Sequence, residues 1–168
     1  MKLLQWAAAY FKSHDIDSPR ATAEILLSHA LAANRIDLYL HYDQPLNVDE
    51  LNRFKALIKR RIKREPVAYI LGHKEFWTLD LEVSPEVLIP RPETECLLER
   101  ALENLAAVTD SGCKHILELG TGSGAILLAL ASEKPRHAYW GTDISAGAIR
   151  VAQRNAIRHG LAESMRFM

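Results

Sequence analysis

The 168-residue sequence predicts an α/β protein with a small all-helical N-terminal domain, a β-hairpin linker and the first half of a parallel, Rossmann-like sheet. Three observations lead to this fold class. Capped helical patterns fill the first part of the chain, an alternating apolar pattern follows, and strand and helix patterns then alternate to the end. The boundaries expected from these patterns are 1–73 for the helical domain, 74–92 for the linker and 93–168 for the sheet.

The helical domain is expected to contain four or five helices. Large apolar residues recur at helical spacing from the N-terminus, which favours an amphipathic helix over a secretory leader. Ser18 followed by Pro19 is typical of an N-cap and first helical position. Asn47 and Glu50 have the spacing of a capping box. A further short helix is expected over 66–71.

The helix that follows Asn47 carries a dense basic face from Arg53 to Arg64. Cations near a helix C-terminus complement the helix dipole, so we interpret this face mainly as solvated structure. A contact with the ribosome or another acidic partner is the alternative. The whole chain has 21 basic and 21 acidic residues, and we therefore expect no direct nucleic-acid contact and no membrane association.

Beyond Gly72 the pattern changes from helical to alternating. Phe76–Val83 predicts two short strands with a turn near Asp80. Ile89–Pro92 predicts extended backbone, because a residue before proline avoids the helical conformation. A helix is expected from Glu93 onward.

The last part of the chain has the alternation of a parallel α/β sheet. After a loop at Thr109–Gly112, the expected elements are strands at His115–Leu119, at Ala138–Asp143 and from Met165, with helices at Gly122–Ser132 and Ser145–His159.

Cys96 and Cys113 have no Cys/His ligand spacing around them and no closely spaced partner. We expect two buried free thiols, no metal site and a cytoplasmic, reducing compartment. No apolar run reaches the roughly 18 residues needed to cross a bilayer.

The segment Leu117–Ala125 reads Leu-Glu-Leu-Gly-Thr-Gly-Ser-Gly-Ala, an apolar strand that ends in glycines before a helix. Glycines allow a tight turn and close approach of the backbone to a ligand, and an acidic residue at the end of the next strand can bind ribose hydroxyls. The sequence therefore predicts a nucleotide-type cofactor site. Its candidate residues are Glu118, Gly120, Thr121, Gly122, Ser123, Gly124 and Asp143.

Two cofactors fit a loop of this kind, an NAD-type dinucleotide and S-adenosylmethionine. Glu118 would repel the pyrophosphate of a dinucleotide by a few kcal/mol at contact distance, and it would attract the sulfonium and ammonium groups of S-adenosylmethionine. We therefore favour S-adenosylmethionine. A dinucleotide-binding oxidoreductase fragment, or a glycine turn with a purely structural role, is the alternative.

Four segments resemble the release factor glutamine methyltransferases, also called HemK or PrmC proteins, and the resemblance covers essentially the whole chain. The most specific is the Ile-Pro-Arg-Pro-Glu-Thr-Glu stretch within the second. The segments are Glu75–Trp77, Leu88–Glu95, Glu118–Gly124 and Ala152–Ala156.

The resemblance implies a class I methyltransferase sheet and methyl transfer from S-adenosylmethionine to the glutamine side-chain amide in the Gly-Gly-Gln loop of class I peptide chain release factors. The helical domain would help to dock the release factor. Gly120–Gly124 would wrap the methionine end, Asp143 would bind the ribose and Glu118 would support the cationic part. A further site-lining role is implied, with linker structure as the alternative, for Arg91, Glu93 and Thr94.

The family's Asn-Pro-Pro-Tyr substrate motif does not occur in the 168 residues. We therefore expect no catalytic residue within this chain, which resembles a fragment lacking the second half of its sheet. We expect the isolated chain to be inactive and to bind S-adenosylmethionine weakly or not at all. A non-catalytic protein-binding module is the third interpretation.

Overall fold

A computed structural model describes residues 2–40, 44–107 and 112–168. The chain divides into two compact units, Met1–Leu71 and Gly72–Met168. We call them the helical unit and the α/β unit, and each has its own buried apolar core.

The described residues of the helical unit form the helices α1 (Lys2–Ser13), α2 (Pro19–Leu31), α3 (Asp37–Leu40), α4 (Val48–Ile62) and α5 (Val67–Leu71). Its core is built from side chains that recur at helical spacing on the facing sides of α1, α2 and α4, among them Phe11, Leu26, Phe54 and Ile58. The helical N-terminal domain expected from the sequence is therefore present.

The two predicted caps have different outcomes. The capping box is confirmed, because the Glu50 amide donates to Asn47 Oδ1 (2.9 Å) and the Asn47 amide donates to Glu50 Oε2 (2.8 Å). Ser18 stands before Pro19 as expected, but it has a φ of 47° and its side chain makes no capping hydrogen bond. The left-handed backbone at Ser18 differs from the extended conformation of a side-chain cap, so that part of the prediction was wrong.

Arginines of the basic face bind groups within the helical unit. Arg53 Nε donates to the Ala30 carbonyl (3.0 Å), and Arg60 forms two hydrogen bonds with the Glu65 carboxylate (2.8 and 2.5 Å). Arg61 donates to the Glu65 carbonyl (3.1 Å). This part of the basic face therefore holds α4 to its neighbours, as the structural interpretation expects.

A buried carboxylate ties α2 to the segment that contains α3. Glu24 is 4% exposed and accepts hydrogen bonds from the Tyr39 hydroxyl, Arg35 and Arg20. These donors, Tyr39 first and then Arg35, lower the pKa of Glu24 to about 2. The carboxylate thus stays charged over the ordinary pH range.

The α/β unit begins with a hairpin and continues as alternating helices and strands. In chain order its elements are β1 (His73–Phe76), β2 (Leu79–Glu82), α6 (Thr94–Ala107), β3 (His115–Leu119), α7 (Ala125–Glu133), β4 (Ala138–Thr142), α8 (Ala146–Arg158), a short 3-10 helix (Ala162–Ser164) and β5 (Met165–Phe167). The loop expected at Thr109–Gly112 lies, except for its last residue, outside the described residues.

The hairpin turn lies at Trp77 and Thr78, and the turn expected near Asp80 was wrong. Asp80 instead pairs with Glu75 across the two strands. Trp77 has a φ of 55°, its amide donates to Glu95 Oε1 (3.0 Å), and its indole nitrogen donates to a carboxylate oxygen of α7 (2.7 Å). These partners lie outside the hairpin, so local turn propensity did not predict them.

The three remaining strands form a parallel sheet in the order β3-β4-β5, with α7 and α8 as the crossover helices. This confirms the predicted α/β class and the strands within a residue at each end. Helix α7 begins at Ala125 rather than near Gly122, because the glycine segment forms a separate loop.

The core of the sheet lies on the face covered by α7 and α8. Leu127, Leu128 and Tyr139 are fully buried there. On the opposite face Leu117 and Leu119 of β3 are 61% and 77% exposed, and β3 is an edge strand within the described residues.

Both cysteines are free thiols, but they are exposed, so the expected burial was wrong. Cys96 lies on α6, where Leu98 takes the buried position. None of the helices within the described ranges is long and apolar enough to cross a membrane. The same ranges contain no group of three His, Cys, Asp or Glu residues able to hold a metal ion.

Candidate functional site

Backbone hydrogen bonds to β4 and within the segment shape the loop between β3 and α7, residues 120–124. The amides of Gly120 and Thr121 both donate to the Thr142 carbonyl (2.8 and 2.9 Å), and the Gly124 amide donates to the Thr121 carbonyl (2.8 Å). Gly120, Gly122 and Gly124 have φ values of 73°, 55° and 81°. Residues with a β-carbon adopt such angles at a cost, so the alternating glycines are what allow this path. We call this segment the glycine loop.

Asp143 contacts the glycine loop although it lies 21 residues after Gly122. Its Oδ2 accepts from the Gly122 amide (2.9 Å), and its Oδ1 accepts from the Ser145 amide (2.9 Å). The acidic residue therefore holds the loop on one side and the start of α8 on the other. Each carboxylate oxygen keeps a second lone pair, which leaves capacity to accept from hydroxyl groups of a ligand.

Glu118 forms the third part of the cluster. The Thr121 hydroxyl donates to Glu118 Oε2 (2.6 Å). Burial raises the pKa of Glu118 to about 7 and the negative charge of Asp143 adds to this shift, although the Thr121 hydrogen bond opposes it. A cation placed beside the loop would therefore meet one ionised carboxylate and a second one that its arrival would ionise.

The charges of this cluster distinguish between ligand types. A phosphate here would face the ionised carboxylate of Asp143, which repels it, and its own negative charge would further oppose ionisation of Glu118. A sulfonium or ammonium group is attracted to the same carboxylates. The arrangement thus suits a ligand that combines positive charge with hydroxyl groups.

The expected site-lining residues lie on the approach to α6. The Thr94 amide donates to the Arg91 carbonyl (3.0 Å), so these residues form the turn that opens the helix. Arg91 and Glu93 are exposed and Thr94 is half-buried. In the described part of the chain we observe no hydrogen bond from any of them to the glycine loop.

One polar residue beside the loop lies in the Ala152–Ala156 segment, and the sequence predicted no role for it. Asn155 of α8 is fully buried, and its amide nitrogen donates to the Ser123 carbonyl (2.9 Å). A signal for it existed in the sequence, because Asn155 stands on the apolar face of an amphipathic helix with Val151 and Ala152. An amide at such a position must find hydrogen-bond partners in the core.

Two family models match the chain. One, described as the PrmC N-terminal domain, matches residues 2–72, and the other, described as a methyltransferase domain, matches residues 116–168. Among solved structures, a SAM-dependent methyltransferase from Geobacter sulfurreducens in complex with S-adenosyl-L-homocysteine is 27% identical over 46% of this chain and 28% of its own, with a TM-score of 0.36.

Curated relatives match the chain along most or all of its length. The release factor glutamine methyltransferase of Chlorobaculum tepidum is 43% identical over 100% of this chain and 58% of the relative. Those of Geobacter sulfurreducens and Coxiella burnetii are 44% and 48% identical over 95% and 84% of this chain, and over 54% and 50% of the relatives. The chain spans about half the length of the curated relatives it matches. These matches, together with the N-terminal family model, place the chain in the release factor glutamine methyltransferase family.

Proposed function

We propose that the glycine loop of this chain binds S-adenosylmethionine and that the chain is part of an S-adenosylmethionine-dependent methyltransferase. The observation that carries the proposal is the position of two carboxylates, Glu118 and Asp143, against a loop of backbone groups. That combination favours a cationic ligand with hydroxyl groups over a phosphorylated one. The names of the curated relatives support the same class of reaction.

Each part of the site has a separate role in this proposal. The backbone of Gly120–Gly124 contacts the methionine end of the cofactor, Asp143 accepts from the ribose hydroxyls, and Glu118 lies near the positive charge. The cofactor supplies an electrophilic methyl group on its sulfonium. The carboxylates stabilise the charged donor in the site.

The proposed substrate is the glutamine of the Gly-Gly-Gln loop in class I peptide chain release factors. The relatives' names support release factor glutamine as the methyl acceptor. In this proposal the helical unit helps to dock the release factor in the cytoplasm. A ribosome contact by the basic face would rest on its lysines, such as Lys55 and Lys59, because Arg53 and Arg60 bind groups within the unit.

We also propose that the 168-residue chain alone does not transfer the methyl group. An amide nitrogen is a weak nucleophile, because its lone pair is delocalised into the carbonyl. Transfer therefore needs acceptors that align the amide with the methyl group and stabilise the charge that develops on nitrogen. The Asn-Pro-Pro-Tyr tetrapeptide that would supply them does not occur in this sequence.

Titration of the isotope-labelled chain, followed by NMR of the backbone amides, tests the cofactor assignment and detects weak binding. We expect S-adenosylmethionine and S-adenosylhomocysteine to shift the amide signals of Gly120–Gly124, and NAD⁺ at the same concentration to leave them unchanged. Shifts with NAD⁺ alone would contradict the cofactor assignment. No shift with any of the three ligands would contradict the proposal that the glycine loop of this chain binds the cofactor.

A pair of variants tests the role assigned to Glu118. Glu118→Gln should weaken binding of S-adenosylmethionine more than binding of S-adenosylhomocysteine, because only the former carries the sulfonium charge. Glu99→Gln, an exposed position on α6, is the matched control and should change neither. An equal loss of affinity for both ligands would show that Glu118 does not interact with the sulfonium charge.

A further inference from the structure

We propose that Asn155 is a positioning residue that holds the glycine loop in its ligand-binding conformation through the carbonyl of Ser123. The proposal rests on the function proposed above, in which this loop is the cofactor site. Asn155 itself lies in α8, 32 residues away from Ser123 along the chain, and it contacts the loop from inside the protein.

The side-chain amide of Asn155 has its two donors and its carbonyl oxygen engaged. Nδ2 donates to the carbonyls of Ser123 (2.9 Å) and Glu82 (3.0 Å), and Oδ1 accepts from the Glu82 amide (2.7 Å). The side chain is 0% exposed, so water does not compete for these bonds. The opposite orientation of the amide would direct an NH₂ group at the Glu82 amide, so the network fixes the assignment.

No other side chain of this size reproduces the arrangement. Aspartate would keep the acceptor for the Glu82 amide, but it would place carboxylate oxygens against two carbonyl oxygens. Alanine would leave three buried backbone groups without their partner, which is the costly way to lose a hydrogen bond. The position therefore requires both a donor and an acceptor in one short side chain.

The loop needs such support because of its composition. Ser123 lies between Gly122 and Gly124, and glycines have the largest conformational freedom in the absence of tertiary contacts. Asp143 fixes the Gly122 amide from the end of β4, and Asn155 fixes the Ser123 carbonyl from α8. With both bonds in place the loop is ordered before the ligand arrives, so binding carries a smaller entropy cost.

A variant at the neighbouring residue, Arg154, distinguishes the positioning role of Asn155 from a general role in attaching the hairpin to α8. Arg154 forms three hydrogen bonds with the Glu82 carboxylate (2.7 to 3.0 Å), whereas Asn155 binds the backbone of the same residue. Arg154 is exposed, and within the described part of the chain it forms its side-chain hydrogen bonds with Glu82 and none with the glycine loop. Arg154→Ala therefore weakens the attachment of the hairpin to α8 and leaves the Ser123 bond in place.

Amide hydrogen exchange measured by NMR on the ligand-free chain tests the proposal directly. We expect Asn155→Asp to accelerate exchange at the Gly122 and Gly124 amides by roughly tenfold, the equivalent of one lost net hydrogen bond. The core amides of Leu127 and Leu128 should change much less. Asn155→Ala, which introduces no charge, should give the same pattern, and Arg154→Ala should leave the loop amides near their wild-type rates.

Several outcomes would overturn the positioning role. One is unchanged loop exchange in a folded Asn155 variant, and another is equal acceleration in the loop and at Leu127, which would make Asn155 an ordinary core residue. Failure of both Asn155 variants to fold would likewise make Asn155 an ordinary core residue. Titration of the wild-type chain with S-adenosylhomocysteine tests the proposed function separately. If the chain does not bind this ligand, the proposed cofactor binding by the glycine loop is contradicted. The exchange rates still decide the role of Asn155.

Discussion

The carboxyl group of Glu118 should make the stability of this chain depend on pH, and replacing it should remove that dependence. Its pKa is raised from 4.5 to about 7, first because of burial. Below pH 4.5 the group is protonated in both the folded and the unfolded chain, and its raised pKa does not change the free energy of unfolding. As the pH rises toward 7, the unfolded chain ionises first, and the folded chain loses relative stability.

The size of the effect follows from the shift. Each pKa unit corresponds to about 1.4 kcal/mol, so the raised pKa lowers the free energy of unfolding by about 3 kcal/mol once the pH exceeds 7. Glu118→Gln removes the charge and keeps an acceptor for the Thr121 hydroxyl. We therefore expect the variant to be more stable than the wild type by about 3 kcal/mol at pH 8 and equally stable near pH 4.5.

Urea denaturation followed by circular dichroism at several pH values between 5 and 8 measures this difference. The change between variant and wild type cancels the contributions of other titrating groups. Glu99→Gln, at an exposed position, measures the general effect of removing one carboxylate. A stability difference for Glu118→Gln that stays constant from pH 5 to pH 8 would refute the reasoning, because it would show that Glu118 does not titrate in this range.

Two further predictions concern other parts of the chain. Glu24→Gln should lower stability at pH 7 by about 1 kcal/mol, because its arginine partners are exposed and water screens the ion pairs. The loss should shrink as the pH falls from 4.5 toward 2, because the carboxylate, with its pKa held low by Tyr39, becomes protonated there. Urea denaturation at pH 7 and pH 3 measures both values. Gly124→Ala should cost about 1 kcal/mol more than Gly160→Ala in thermal denaturation. Both glycines have positive φ, but only at Gly124 would a β-carbon lie 3.0 Å from Leu128. Equal losses of stability in the two variants would show that the backbone or Leu128 shifts enough to accommodate the added β-carbon.

Elements with a strong local signal were predicted well. The capping box at Asn47 and the parallel strand His115–Leu119 are present with the expected residues. In both cases the determining interactions are local: a cap joins residues three apart, and an apolar run that ends in glycines specifies a strand followed by a loop. The glycine loop was recognisable for the same reason.

Predictions that depended on distant contacts were less accurate. The hairpin turn falls at Trp77, whose backbone amide binds the carboxylate of Glu95, 18 residues away. Cys96 is exposed because the apolar face of α6 passes through Leu98. Asn155 was missed because its partners, Ser123 and Glu82, lie 32 and 73 residues from it.

The sequence by itself determined the order of helices and strands, the position of the glycine loop and the two acidic residues that belong to it. These features follow from residue spacing, which acts over a few positions along the chain. Only the tertiary structure decided that Asp143 binds the loop amide, that burial raises the pKa of Glu118, and that Asn155 fixes Ser123. Hydrogen bonds and desolvation depend on distances in space, and residues far apart in the chain reach those distances only when it folds.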